Sequence, residues 1–288
     1  MKIVEQNWFL REIKYIIIGP LHRLTVPRSA LETAERDIRL VRSCPDYKRI
    51  PRVGDAGKIK NGKLIMHNGV KILPGSYYGY GNLKFLQATG GIHEPQEEYV
   101  FSKVLEIMPP GAVMLELGAY WSFYSLWFSQ AVKSPKCYLV EPILSNLNYG
   151  KKNFALNEAK ANFTQAYIGK SSVLVNDIWQ ISVDDFLKEH KIPHLNILHA
   201  DIQGQELEML KGATHHIAQR KIDYMFISTH SNQLHKDCQD FLIRNRYSVI
   251  ASANLDASYS PDGVIVARRD ELNGIDKVKI SMRSDNLC

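Results

Sequence analysis

The stretch Val113-Met-Leu-Glu-Leu-Gly-Ala-Tyr-Trp-Ser-Phe-Tyr-Ser-Leu-Trp-Phe128 decides the fold of this chain. It begins with an apolar run that only Glu116 interrupts, and this pattern predicts a buried strand. Gly118 and Ala119 follow and are small enough for the backbone to turn sharply. Ser122 is the predicted N-cap of the apolar helix that comes next. A strand that enters a helix through such a turn is where nucleotide-like cofactors bind in open α/β sheets.

A second acidic strand end lies 25 residues after Glu116. The run Cys137-Tyr-Leu-Val-Glu141-Pro142 predicts another short strand that ends in a carboxylate. In Rossmann-like sheets an acidic residue roughly 20 residues past the turn accepts hydrogen bonds from ribose hydroxyls. Two carboxylates beside a turn with few glycines disfavour a pyrophosphate. They favour a cofactor with ribose hydroxyls and a cationic end, such as S-adenosylmethionine. The alternative is that Glu116 and Glu141 are only solvated strand ends.

A third segment repeats the arrangement of strand, acidic residue and glycine turn. Leu195-Asn-Ile-Leu-His-Ala-Asp201-Ile-Gln-Gly-Gln-Glu206 predicts a strand, an aspartate at its end and a turn at Gly204 before a helix. With Leu210-Lys-Gly-Ala213 it resembles the Asp-Val-Glu-Gly-x-Glu…Leu-x-Gly-Ala signature of the FkbM-type methyltransferases. The block Ile181-Ser-Val-Asp-Asp-Phe-Leu187 resembles the element that precedes this signature. The resemblance covers residues 91–268.

The resemblance implies a fold, a cofactor and a substrate class. It implies a Rossmann-like doubly wound, mostly parallel α/β sheet that ends in an antiparallel β-hairpin, and an S-adenosylmethionine-dependent activity. The cofactor would contact Glu116, Gly118, Ala119, Tyr120, Glu141, Pro142 and Asp201. The acceptor would be a hydroxyl of a sugar, glycan or small natural product. Two departures leave the substrate open: Gln203 stands where the family more often has Glu, and Tyr120-Trp121-Ser122 replaces the usual Asn-x-Gly.

The order of the predicted elements divides the chain into three parts. Residues 1–90 are predicted to form a helical and β-hairpin extension, in which the Gly- and Tyr-rich segment 75–81 is either a loop near a site or a surface turn. Residues 91–270 are predicted to form a class I methyltransferase domain with alternating strands and helices. The polar residues 271–288 are predicted to be a loosely held tail.

Within the domain we expect a helix over 205–218, a strand over 162–166 and an antiparallel pair formed by 247–251 and 263–268.

Asp201 and His230 are the predicted catalytic residues. Asp201 could act as a base, orient one, or bind a divalent metal that lowers the pKa of the acceptor, although it could equally cap the next helix. His230 ends the following strand, where a histidine could serve as general base. His199, Asp201 and His230 could together bind a metal, although their spacing is not a metal motif. The segment Ser260-Pro-Asp262-Gly263 is interpreted as a turn.

Composition limits the partners of the chain. Its 288 residues carry a net charge of +6 without a dense basic run, so no nucleic-acid partner is expected. Four cysteines without paired spacing favour a reducing compartment, and a cytoplasmic location is expected. No transmembrane segment is evident, although residues 7–24 could form an amphipathic helix that packs on the body, a membrane surface or a partner. The sequence leaves a homodimer open.

Two other functions remain open beside methyl transfer. A nicotinamide-dependent oxidoreductase could use a similar sheet, but it needs a fuller glycine fingerprint than the segment Gly118–Ser122 supplies. A non-catalytic scaffold or membrane-surface module could retain the fold. The mild positive charge and the amphipathic segment 7–24 are its support in the sequence.

Overall fold

A computed structural model describes residues 28–283, with side chains from residue 33 onward. The first part is helix α1 (Arg28–Ser43), a short 3-10 helix (Pro45–Lys48), strands β1 (Ile59–Lys60), β2 (Lys63–Ile65) and β3 (Lys71–Ile72), and helix α2 (Gly79–Ala88). The three strands form an antiparallel sheet in the order β1-β2-β3. Helix α2 begins inside the Gly- and Tyr-rich segment, so only residues 75–78 of that segment are a turn.

A seven-stranded sheet with flanking helices forms the larger part of the molecule. Its elements, with a small second sheet, are helix α3 (Pro95–Leu105), β4 (Val113–Leu117), α4 (Phe123–Ala131), β5 (Lys136–Val140), α5 (Leu144–Leu156), β6 (Asn162–Thr164), β7 (Tyr167–Ile168), β8 (Val173–Val175), β9 (Ile178–Ile181), α6 (Val183–Glu189), β10 (Leu195–Ala200), α7 (Glu206–Lys211), α8 (Thr214–Ala218), β11 (Ile222–Thr229), α9 (Asn232–Arg244), β12 (Tyr247–Ala253) and β13 (Gly263–Arg269).

The strand order of the large sheet is β12-β13-β11-β10-β4-β5-β6. β4 pairs in parallel with both β5 and β10, and β10 pairs in parallel with β11. β13 lies between β11 and β12 and runs antiparallel to both. The order reverses beside β4, and ligands of open α/β sheets bind at such a switch point. The predicted fold class, a mostly parallel sheet that ends in an antiparallel hairpin, is confirmed.

Each face of the large sheet carries its own hydrophobic core. Side chains alternate along a strand, so Met114 enters one core and its neighbour Leu115 the other. The first core also contains Phe101 from α3 and Phe123 from α4. The second contains residues of α6, α7 and α9, for example Phe186. Helices therefore cover both faces, which is the doubly wound arrangement.

Two local expectations differ from the structure. The helix predicted over 205–218 is two short helices, α7 and α8, separated at Gly212 and Ala213. A Cβ on Gly212 would overlap the Gly169 carbonyl oxygen, so close approach of another segment accounts for the glycine here. The strand predicted over 162–166 ends at Thr164, and the chain then builds the unpredicted three-stranded sheet β7-β9-β8.

Residues 271–283 are anchored, contrary to the expectation of a loosely held tail. Val278 and Ile280 are buried in the first core. The Val278 amide donates to the Ile250 carbonyl at 2.9 Å, and the Ser281 amide donates to the Asp46 carboxylate at 2.7 Å. The sequence signal for this anchoring is the alternation of apolar and polar residues, because an extended segment needs to bury only every second residue.

No helix within residues 28–283 is long and apolar enough to cross a membrane. The predicted amphipathic segment 7–24 lies outside the residues that the structure describes.

Candidate functional site

The glycine turn after β4 is fixed by contacts with both neighbouring strands. The amides of Gly118 and Ala119 donate to the Val140 carbonyl oxygen at 2.9 and 3.0 Å. Gly118 has a φ of 72°, a conformation that favours glycine. A Cβ at this position would overlap the carbonyl oxygen of Asp201. The turn therefore needs glycine because the end of β10 touches it, independently of any bound ligand.

Glu116 caps the helix that follows this turn. Its Oε2 accepts a hydrogen bond from the Ser125 amide, near the start of α4, at 3.0 Å. Ser122 occupies the N-cap position, as predicted, but with a φ of 66° its hydroxyl makes no capping bond. Burial raises the pKa of the Glu116 carboxyl group above its usual value. The strand-end carboxylate thus takes over the capping function expected of the serine.

Glu141 holds the backbone that follows the glycine turn. Its two carboxylate oxygens accept hydrogen bonds from the amides of Tyr120 at 3.1 Å and Ile143 at 2.9 Å. Burial raises the pKa of Glu141. Glu141 and Pro142 lie beside Tyr120 but outside the lining of the cavity described next. Their contact with a cofactor stays a prediction.

A cavity of about 290 Å³ opens at the carboxyl ends of β4 and β10. Its lining includes Gly118, Ala119 and Tyr120 of the glycine turn. The extension supplies another wall, through Asp37, Leu40, Val41, Tyr77, Tyr78, Asn82 and Phe85. Five carboxyl groups line the cavity, from Asp37, Glu94, Glu116, Asp201 and Asp262. In the part of the chain with described side chains, no lysine or arginine lines it.

His230 is held between acidic side chains at the end of β11. Its Nε2 lies 3.2 Å from Asp201 Oδ1, and its Nδ1 lies 3.1 Å from Glu206 Oε1. Burial alone would lower the pKa of this imidazole, but the carboxylates outweigh it and raise the pKa to about 10. At neutral pH His230 is therefore an imidazolium whose two N–H groups face carboxylates, and such a group has no free lone pair for a general base.

The hydrogen bonds of Glu206 explain why a glutamate follows the turn at Gly204. Its Oε1 accepts hydrogen bonds from the amides of Ile202 at 3.1 Å and Gly204 at 3.2 Å. The side chain is fully buried and also faces His230. The signature glutamate therefore ties the turn after β10 to the end of β11.

The structure does not bring together the metal-binding set expected from His199, Asp201 and His230. His199 is buried, and its Nε2 contacts Glu97 Oε1 at 2.7 Å. Asp201, Glu206 and His230 instead offer ligand atoms that lie within 4.8 Å of one another. His230 turns a different nitrogen to each carboxylate, so these distances are those of an ion-paired imidazolium. A divalent metal requirement stays a prediction.

Sequence reasoning missed several contributors to the cavity, among them two acidic residues. Asp262, interpreted only as part of a turn, lines the cavity with its Oδ1 3.4 Å from His230 Nε2. Glu94, at the start of α3, lines it and accepts a hydrogen bond from the Tyr124 hydroxyl at 2.8 Å. The signal for Glu94 was available in the sequence, since Glu94, Glu97 and Glu98 place three acidic residues at the beginning of one apolar helix.

Beneath the cavity lies a cluster of buried ionisable groups. Glu98 Oε1 lies 2.7 Å from His93 Nδ1, and Glu98 Oε2 lies 2.8 Å from His67 Nε2. Burial alone would raise the pKa of Glu98, but the two imidazoles hold it well below its usual range. Burial alone would lower the pKa of His93, but Glu98 and Glu94 raise it to about 10. The cluster ties the β2–β3 turn of the extension to the N-terminal end of α3.

Comparison with known proteins identifies the family that the central segment matches. Residues 175–249 match the family model of the methyltransferase FkbM domain. The matched segment contains Asp201, Gly204, Glu206 and His230, which confirms the resemblance drawn from these motifs. No curated protein sequence matches the chain.

Solved structures of methyltransferases align with part of the chain at low similarity. TrmK of M. capricolum, in complex with S-adenosyl-homocysteine, is 12% identical with a TM-score of 0.43, over 60% of this chain and 71% of that one. A precorrin-6y C5,15-methyltransferase from Geobacter metallireducens is 15% identical with a TM-score of 0.44, over 59% and 89%. A ribosomal protein L11 methylase from Lactobacillus delbrueckii is 10% identical with a TM-score of 0.43, over 62% and 81%.

Proposed function

We propose that this protein is an S-adenosylmethionine-dependent O-methyltransferase that acts on a hydroxyl group of a sugar, glycan or small natural product. The observation that carries the proposal is the charge of the cavity beside the glycine turn. Five carboxyl groups line it, against the two imidazoles of His93 and His199, and no lysine or arginine lines it among residues 33–283. Such a site attracts a cationic ligand. S-adenosylmethionine carries a sulfonium and an ammonium group, and its adenosine has no phosphate.

The glycine turn supports the placement of the cofactor. Gly118, Ala119 and Tyr120 line the cavity at the switch point of the sheet, where ligands of this fold class bind. Glu141 lies one hydrogen bond away, on the Tyr120 amide, and is the proposed partner of the ribose hydroxyls. The cavity volume of about 290 Å³ is at the lower end of ligand sites.

The same charge disfavours the nicotinamide alternative. A dinucleotide brings a doubly negative pyrophosphate, which needs a glycine-rich helix start or cationic side chains. Glu116 instead occupies the start of α4 and accepts from the Ser125 amide. The scaffold alternative drew its support from residues 7–24, which lie outside the described part of the chain.

Parallel calorimetric titrations with S-adenosylhomocysteine and NADH test the proposal. We expect saturable binding of S-adenosylhomocysteine and none of NADH. Glu141→Gln should weaken S-adenosylhomocysteine binding by at least about tenfold, because one charge-assisted hydrogen bond contributes roughly 1.5–3 kcal/mol. Glu189→Gln, at an exposed glutamate at the end of α6, is the matched control and should bind normally. Binding of NADH alone would refute the proposal.

The hydroxyl acceptor rests on the family resemblance. Methyl transfer needs an aligned acceptor and removal of one proton. The aromatic side chains that line the cavity, including Tyr77, Tyr78 and Trp121, offer apolar faces to a sugar ring. A panel of neutral sugars, glycosides and phenols, with methylated products identified by mass spectrometry, distinguishes the acceptor classes.

A further inference from the structure

We propose that Asp262 is the group that accepts the proton of the acceptor hydroxyl, and that His230 is its positioning residue. The proposal rests on the methyltransferase function proposed above. It assigns the chemistry to a residue in the connection between β12 and β13 and changes the role of the histidine at the end of β11.

The position of Asp262 is the first argument. It lines the same cavity as Asp201 and Gly118 of the glycine turn, where the cofactor is proposed to bind. The side chain is 23% exposed, so it can reach a ligand in the cavity. Its Oδ1 lies 3.4 Å from His230 Nε2, while the other imidazole nitrogen faces the buried Glu206. The histidine therefore links Asp262 to the rigid turn after β10.

The backbone on both sides of Asp262 is fixed. The Ser260 hydroxyl donates to the Asp262 carbonyl oxygen at 2.8 Å, and the Tyr259 amide donates to Gln96 on α3 at 2.8 Å. At Gly263 a Cβ would lie 2.7 Å from Thr229 Oγ1 and 3.0 Å from the Ala253 carbonyl oxygen. Close packing thus holds the residue after Asp262 against β11 and β12. A base needs this kind of support to stay aligned with an acceptor.

The other carboxyl groups near the glycine turn each accept a hydrogen bond. Asp201 Oδ1 accepts from Gln203 Nε2 at 2.9 Å and faces His230. Glu94 Oε2 accepts from the Tyr124 hydroxyl at 2.8 Å and faces His93. Glu116 caps α4. The only ion pair of the Asp262 carboxylate within residues 33–283 is the one with His230.

The electrostatic surroundings suit Asp262 to the task. The pKa of Asp262 is raised to about 7, mainly by burial. Asp201 after β10, Glu94 just before α3 and Glu97 on α3 also raise it, whereas His230 after β11 lowers it. General bases work best when their pKa lies near the working pH.

The proposed step balances in atoms and charge. The acceptor oxygen forms a bond to the methyl carbon while the carbon–sulfur bond breaks and its electron pair passes to sulfur. The hydroxyl proton passes to the Asp262 carboxylate. The sulfonium cation and the carboxylate anion become a neutral thioether and a neutral carboxylic acid, which returns its proton to water after product release.

The first test needs no acceptor. S-adenosylmethionine differs from S-adenosylhomocysteine by the methyl group and the positive charge, so an ionised carboxylate near sulfur favours the former. We expect the ratio of their calorimetric affinities to rise by about tenfold between about pH 5.5 and about pH 9. Asp262→Asn should abolish this rise. His230→Asn should move its midpoint to higher pH, because the cation that lowers the pKa of Asp262 is gone.

The matched control is Asp256→Asn. Asp256 lies in the same connection, is exposed and accepts a hydrogen bond from Asn232, outside the cavity. This variant should keep the pH-dependent rise. Thermal unfolding of each variant verifies that it is folded.

Turnover supplies the second test, with methyl α-glucoside as the probe acceptor and release of S-adenosylhomocysteine as the readout. Asp262→Asn should lower kcat by roughly 10²–10⁴ and leave S-adenosylhomocysteine affinity within about twofold. Wild-type protein that fails to bind S-adenosylhomocysteine would refute the proposed function. Wild-type protein that binds it without the pH-dependent rise, or an Asp262→Asn variant that retains the rise or full turnover, would overturn the role of Asp262 alone.

Discussion

Gly118 shows how one residue joins the cofactor turn to the rest of the sheet. Its φ of 72° and its contact with the Asp201 carbonyl oxygen are both imposed by the protein itself. The amide of Asp201 in turn donates to the Leu117 carbonyl at 3.0 Å. The strand ends that carry Glu116 and Asp201 are therefore spaced by backbone contact. A larger residue at 118 would separate β4 from β10 at the point where the cavity opens.

We expect Gly118→Ala to lower the free energy of unfolding by more than about 4 kcal/mol, because backbone must move to admit the Cβ. Gly111→Ala is the matched control. Gly111 has a φ of 79°, but a Cβ there meets nothing within 4 Å, so its cost should be only the conformational term of about 1–2 kcal/mol. Chemical denaturation measures both. Equal losses in the two variants would show that the contact with Asp201 is unimportant.

At the scale of elements, the extension completes the cavity. Helix α1 and the segment from Tyr77 to Phe85 supply residues of the lining. Asn153 on α5 fastens this part to the domain: its Oδ1 accepts from the Leu73 amide at 2.9 Å, and its Nδ2 donates to the Trp121 carbonyl at 3.0 Å. One buried amide thus joins the extension, α5 and the glycine turn.

Asn153→Ala should lower the free energy of unfolding by about 2–4 kcal/mol, since it leaves buried backbone groups of Leu73 and Trp121 unpaired. It should also weaken S-adenosylhomocysteine binding, because the turn loses a support. Asn157→Ala is the comparison. Asn157 Oδ1 accepts a hydrogen bond from the Lys71 amide at 2.9 Å at an exposed position, where water can replace the lost side chain. We expect a loss of about 1 kcal/mol or less there. A comparable loss in both variants would argue against the buried link.

The sequence predictions were correct where an element depends on residues close together in the chain. They missed features that depend on contacts between residues far apart in the chain. Strands β4, β5 and β10 were predicted from the apolar runs that begin at Val113, Cys137 and Leu195, because short apolar runs and the turns after them are local signals. The break at Gly212 was missed because its cause, the carbonyl of Gly169, is distant in sequence. Asp262 was missed for the same reason, since only the pairing of β13 with β11 brings it to His230.

At the scale of the whole molecule, a buried cluster of ionisable side chains joins the N-terminal extension to the sheet domain. His67 comes from the turn between β2 and β3, whereas His93 and Glu98 lie at the start of α3. All three side chains are at least 95% buried, so their charges are satisfied by one another and by few other groups. A cluster of this kind makes the stability of the fold depend on pH.

The direction of that dependence follows from the two shifted groups. The pKa of His93 rises from the usual 6.5 to about 10, so the native state keeps a proton that the unfolded chain releases. The contribution of His93 to the free energy of unfolding is therefore complete below pH 6.5 and is lost as pH rises through about 10. The pKa of Glu98 is lowered from the usual 4.5, so its contribution is complete above pH 4.5 and is lost on acidification. Together these groups favour maximal stability between about pH 4.5 and 6.5.

We therefore expect the free energy of unfolding in urea to fall steadily from about pH 6.5 to about pH 10. His93→Gln should be less stable than wild type below this range and should lose part of the slope within it, because one of the two imidazoles whose pKa is raised to about 10 is absent while His230 remains. His190→Gln, at a histidine outside the cluster that contacts the Phe186 carbonyl, should retain the wild-type slope. A His93→Gln curve parallel to wild type would mean that His93 is neutral in the folded protein, and that Glu98 is held by His67 instead.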